Sequence, residues 1–178
     1  MASDTRPDRP VPTGREIHLG DDDFIVTKTD PQSRITYANR MFMRISGYSE
    51  SELLGQPQSI VRHPDMPKGV FRHLWQTIQK GQECFAYVNN LAKNGDNYWV
   101  LANITPELDD RGQIIGYFSC RRQPKPSAIE KIKPIYEAMR ALESQAPAGA
   151  DAAARSLALL NSMIDKEQTS YEAFILAL

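Results

Sequence analysis

The chain has 178 residues, 41% of them hydrophobic, enough for one packed core with extensions; 21 Lys and Arg against 22 Asp and Glu leave a net charge of −1. No stretch gathers the basic stripe that a phosphate backbone requires, which argues against nucleic acid, and two distant cysteines, Cys84 and Cys120, indicate neither a disulfide framework nor a zinc site. The N-terminus lacks a signal-peptide core and the longest apolar run, at 173–178, is far below the ~20 residues of a membrane span, so a soluble chain of the reducing cytoplasm is expected.

Residues 1–19 carry Asp, Arg, Pro and Thr without periodicity and read as a disordered leader. Two β-branched runs, 24–29 and 34–38, flank Asp30-Pro-Gln-Ser33 and predict a hairpin. A short helix follows from Asn39 to Gly47, and Ser49 with Glu52 has the capping-box spacing of another turn or two. The stretch 55–67 then packs three prolines with Arg62, His63 and Asp65; as an ordinary connector, it would have Asp65 cap the next helix with Arg62 as its ion-pair partner. That helix, from Pro67 to Gly81, sets Val70, Phe71, Leu74, Trp75 and Ile78 on one face. Strands are predicted at 84–93, 97–105 and 114–122, the first two joined by a two-residue turn at Asn94-Gly95. Beyond Pro126 an apolar stripe of Ile129, Ile132, Tyr136 and Met139 marks a helix broken near 146–150, followed by a helix over 152–165 and a small face of Tyr171, Phe174, Ile175 and Leu178. Pro134 should kink the first of these.

This order, with Ile35-Thr-Tyr-Ala-Asn39, Ser46-Gly-Tyr48, Glu52-Leu-Leu-Gly-Gln-Pro57, Val61-Arg-His-Pro-Asp-Met-Pro67, Lys93-Asn-Gly-Asp96 and Tyr98-Trp-Val100, resembles the PAS domain of bacterial aerotaxis receptors over residues 20–140. The resemblance implies an α+β fold, a five-stranded antiparallel sheet with short helices on one face, plus C-terminal helices. It also implies FAD held non-covalently, with Asn39, Arg62, His63, Asp65, Trp75 and Asn90 in the flavin-binding region. One departure stands out: Gln58-Ser59 replaces the family's His-Asn. The residues themselves agree with a flavin: Phe71, Trp75, Tyr87 and Trp99 can face its ring, Asn39, Asn89, Asn90 and Asn103 its polar edge, and Arg62 its phosphates. Each also has an ordinary reading, core for the aromatics and strand-end hydrogen bonding for the asparagines.

The expected organisation is a sensor domain at 20–123, a signalling or dimerisation helix at 124–145, and a linker with terminal helices at 146–178. The function expected is a sensor reporting redox state or oxygen to a signalling partner without turnover of its own, because neither cysteine has the setting of an activated nucleophile. His63 tuned by Asp65 is a candidate proton relay to the flavin. The alternatives are a haem-binding gas sensor using His73, although that residue sits towards the polar side of its helix, and a cofactor-free interaction module. No Asn-Cys-Arg motif supports a covalent photoreceptor. The stripe from Ile129 to Met139, lying outside the predicted core, predicts a homodimer; the last helical segments, too short to stand alone, must dock on the domain or on a partner.

Overall fold

A computed structural model describes residues 9–178; positions 1–8 of the expected leader lie outside the described residues. The sheet begins with β1 (Ile25–Thr29) and β2 (Ile35–Ala38). The Asp30 carboxylate accepts from the amides of Gln32 and Arg34, an Asx turn that reverses the chain where expected. After the helical segments come β3 (Cys84–Leu91), β4 (Asn97–Leu108) and β5 (Ile114–Arg122), and the five strands assemble antiparallel in the order β2-β1-β5-β4-β3. The expected α+β fold with a five-stranded antiparallel sheet is therefore the one observed.

Two strand details differ from the sequence reading. β4 runs on through Pro106, because its partner β3 starts at Cys84 opposite Ile104 and leaves that edge of β4 unpaired beyond this point. A proline there removes no ladder bond. The β3–β4 turn has three residues rather than two: Ala92 pairs with Asp96, and only Gly95 takes a positive φ, 89°. Asn94 holds the turn by accepting from the Asp96 amide.

Helix α1 (Arg40–Ser46) is capped by Asn39, and α2 (Glu50–Leu53) carries the expected capping box of Ser49 and Glu52. A 3-10 turn at Gln58–Val61 leads to α3 (Lys68–Ile78). On the sheet, Val88 and Asn90 of β3, Ala102 and Ile104 of β4, and Ser119 and Arg121 of β5 face α3, while alternation sends Tyr87, Trp99 and Asn103 to the opposite face.

That opposite face is covered over β3 and β4 by α4 (Pro126–Ser144), a helix that continues through Pro134. Its Tyr136 hydroxyl donates to the Tyr87 carbonyl at 2.8 Å and its ring stacks on Trp99. The stripe that predicted a dimer is thus spent within the chain: Ile132 and Met139 are fully buried, Ile129 and Tyr136 nearly so. Helices α5 (Ala152–Lys166) and α6 (Tyr171–Ala177) then close over the β3 edge, α5 on α3 and α6 against β3, with Leu160 and Ile175 entering the main core. Docking of the last segments on their own domain, one of the two expected outcomes, is what the chain adopts.

The leader expectation is corrected for 13–19. The Asp96 carboxylate, set on the β3–β4 turn, receives Thr13 Oγ1 at 2.6 Å and the Arg15 guanidinium, and Ile17 donates to the Asn97 carbonyl. A segment without periodicity is captured here by one buried acid. No helix among the described residues is long and apolar enough to cross a membrane.

Candidate functional site

The 3-10 turn, Arg62 just after it and one face of α3 along most of its length form one wall of a cavity whose floor is the inner face of the sheet. Its volume is about 300 Å³, at the small end of ligand pockets, and the end near Gln32 and Ser33 is open. Phe71, Leu74, Trp75 and Ile78 project from α3 because they share its apolar face, and Trp75 meets Tyr117 of β5 edge-on at 5.6 Å. Arg62 lays its guanidinium on the Phe71 ring at 3.6 Å. Burial, with Arg9 nearby, pushes the Arg62 guanidinium down to about 10, so it remains a cation at neutral pH.

From the floor, Arg121 reaches in at 6% exposure; its Nη2 donates to Thr27 Oγ1 at 3.0 Å, and burial lowers its pKa. No carboxylate lines the cavity or pairs with either arginine among the described residues. Among the described residues the lining therefore holds two cations without a counter-charge. It also holds buried polar atoms without partners: both amide atoms of Gln58, Arg62 Nε, Asn90 Nδ2, Ser119 Oγ and Arg121 Nη1. Buried polar groups are ordinarily paired, at a cost of about 1–3 kcal/mol each when they are not. A whole set converging on one cavity is the mark of a site built for a polar ligand with an aromatic or apolar body.

Of the residues expected at the site, Arg62, Phe71, Trp75 and Asn90 come together here. The others do not. Asn39 is the cap of α1, accepting from Phe42 and Val26 amides and donating to the Phe24 carbonyl, which pins β1 to the helix. Tyr87 and Trp99 lie under α4, and Asn103 donates to Glu83 on the same outer face. His63 and Asp65 flank a separate cleft of about 330 Å³ beside α4, where Asp65 pairs with Arg140 at 2.7 Å and His63 Nδ1 accepts from the Asp65 amide. Asp65 is neither the cap of α3 nor the partner of Arg62. His63 lines this outer cleft and not the cavity that Arg62 faces, so the expected relay has no direct contact with the cavity.

His73 turns its ring to Tyr171 of α6, 3.8 Å between centroids, and none of the three histidines lines the cavity. Neither cysteine lines it, and burial pushes the Cys84 thiol up to about 12. Sequence reasoning missed Thr27, Ser119 and Arg121, whose only signal is alternation along β1 and β5 with a polar residue at every second position. Gln58, noticed only as a departure from a motif, proves to be a cavity residue.

Residues 22–123 match the PAS fold family. The chain is 44% identical over 132 residues to the aerotaxis receptor of Escherichia coli K12, covering 74% of this chain and 26% of that protein. It is 33% identical over 97 residues to a nitrogen fixation regulatory protein of Klebsiella pneumoniae, covering 54% of this chain and 20% of that one. It thus spans about a quarter and a fifth of the length of these two relatives. The light-state structure of the blue-light photoreceptor Aureochrome1 LOV shares the fold, with a TM-score of 0.55 at 22% identity over 62% of this chain and 88% of the other. Since the matched stretch takes in the sheet, α1 to α3 and every residue lining the cavity, the chain belongs to the PAS family.

Proposed function

We propose that this chain is a sensor that holds FAD in the cavity between α3 and the sheet and reports redox state or oxygen to a signalling partner. The observation that carries the reading is the set of unpaired buried atoms on Gln58, Arg62, Asn90, Ser119 and Arg121 around a wall of Phe71 and Trp75. These fit a flavin: the aromatics would pack against its ring system, Asn90 would donate to a carbonyl of its polar edge, and the Gln58 amide can donate or accept. Once bound, a flavin supplies a reversible electron acceptor that oxygen can reoxidise. Arg62 and Arg121 keep positive charge beside it in a low-dielectric site, so they favour any state in which the ligand gains negative charge. Likeness to the aerotaxis receptor supports the sensory role, and the flavin is what the family resemblance of the sequence motifs implies.

The test is the absorption spectrum of the purified protein, before and after incubation with FAD and gel filtration, with the released cofactor identified by chromatography. A two-banded flavin spectrum and FAD on release are expected, with Asn90→Ala retaining less than a tenth of the wild-type cofactor. A colourless protein that takes up no flavin would refute the reading, as would a haem spectrum.

A further inference from the structure

Helix α3 begins at a proline. Pro67 occupies the cap position, has no side-chain acceptor to offer, and leaves the first amides of α3 to find partners elsewhere. The partner of one of them comes from the far end of α4: Glu143 Oε1 accepts from the Gly69 amide at 3.1 Å. The same oxygen accepts from Ser156 Oγ of α5 at 2.6 Å. One carboxylate thus joins the start of α3, the end of α4 and the first turns of α5, and it brings negative charge to the positive end of α3.

Around this junction the chain adds further ties in the same direction. Arg72 of α3 pairs with Asp151, the residue that caps α5, at 2.6 Å. Arg140 of α4 pairs with Asp65 just before α3. Gly69 lets α5 approach so closely that a Cβ there would meet the Leu157 amide nitrogen at 2.7 Å and Ser156 Oγ closer still. The opposite face of the same two turns of α3 carries Phe71, Leu74 and Trp75 into the cavity. A short, stiff helix therefore has the ligand wall on one side and the α4–α5 clasp on the other.

We propose that Glu143 is a positioning residue for the cavity: by capping α3 across the chain, it ties the placement of Phe71 and Trp75 to the docking of α5 and α6. The inference rests on the cavity being a flavin site for its ligand, but not for the junction itself. Coupling of this kind is reciprocal: whatever factor docking adds to ligand affinity, the ligand adds to docking. A ligand that presses the α3 wall into a different position then loosens or tightens the terminal helices, which supplies the domain with an output made from its own C-terminal segment.

The experiment compares wild type with Glu143→Ala and Glu143→Gln in the full chain, reading the rate of flavin release and hydrogen exchange over residues 152–177. Glu143→Ala is expected to speed flavin release about tenfold, while Gln, which keeps an acceptor oxygen at the same place, stays much closer to wild type. Exchange over α5 and α6 in the wild type should slow on FAD binding by a factor like that lost in release. A folded Glu143→Ala protein with wild-type release and exchange overturns the proposal. Should the wild type hold no flavin, the reading of the cavity fails by itself, and the junction is tested in a Trp99→Phe background, where Trp75 is the sole tryptophan. There Glu143→Ala should shift Trp75 emission and its quenching by acrylamide; unchanged emission overturns the link.

Discussion

Gly69→Ala sets two physical effects against each other, and the sign of the result separates them. Gly69 has an ordinary helical φ in the first turn of α3, so alanine is free of backbone strain and, by helix propensity alone, should stabilise by up to about 1 kcal/mol. Against this, its Cβ would stand 2.7 Å from the Leu157 backbone nitrogen, and a backbone atom inside a helix cannot swing aside as a flexible side-chain tip can. Relief requires α5 to move off α3, and overpacking of this type costs about 1–3 kcal/mol. We expect a net loss of about 1–2 kcal/mol, which for a chain of this size lowers Tm by roughly 2–8 °C. Calorimetry gives the melting temperature; limited proteolysis in the linker at 146–150 shows whether α5 has loosened. A raised Tm with an unchanged cleavage rate would mean that α5 is not held against Gly69 as described.

Three further outcomes follow from buried polar groups. Tyr136→Phe removes the hydroxyl that satisfies the Tyr87 carbonyl and should cost about 1–2 kcal/mol in urea titration with an unchanged m value. Hydrogen bonds from Arg15 and Thr13 hold the Asp96 carboxyl at about 2; its folded pKa is depressed, so its contribution is present above the usual carboxylate range and lost as pH falls towards 2. Asp96→Asn should accordingly expose 9–19 to trypsin at neutral pH, whereas the wild type becomes susceptible to an acid protease only in strong acid. Burial lowers the His63 pKa, with Asp65 opposing, so the neutral ring is favoured in the folded chain. Its contribution is full above about 6.5 and lost as pH falls through the folded value, and His63→Gln should flatten the decline in urea stability between pH 7 and 5.

The elements were legible because most of their signals are local: the Asx turn at Asp30, the capping box of Ser49 and Glu52, and the apolar face of α3 all act within a few residues. The site was half legible, and one turn explains much of the rest. With two residues in the β3–β4 turn, Asn90 would pair with Trp99, and odd-numbered β4 residues would share the face of Asn90. The third turn residue pairs Asn90 with Tyr98 instead, and every β4 side chain changes face, carrying Trp99 and Asn103 away from the cavity. Tyr87 could have been excluded without the register, since it and Asn90 lie an odd number of positions apart on one strand. The capture of 13–19 by Asp96 and the clasp at Glu143 depend on single side chains meeting across 74 to 83 positions of sequence, and no periodicity announces such meetings.

The two adjacent residues Arg62 and His63 show what this division means for sensing. Arg62 presents its charge to the cavity, where it stacks on Phe71; His63 presents its ring to the outer cleft, where Asp65, Arg140, Lys133 and Glu137 also converge. Negative charge gained in the cavity would therefore be felt first by a group that cannot titrate in the working range, whereas the group suited to titrate there lines the cleft and not the cavity. Both belong to one segment braced by Pro57 at one end and by Pro67 at the other, and Asp65 ties that segment to α4. Arg62 and His63 thus hang on the same few stiff peptide units, one facing the cavity and the other the cleft. Through Asp65 and Arg140 the segment is tied to α4, whose last turn carries Glu143 to the start of α3.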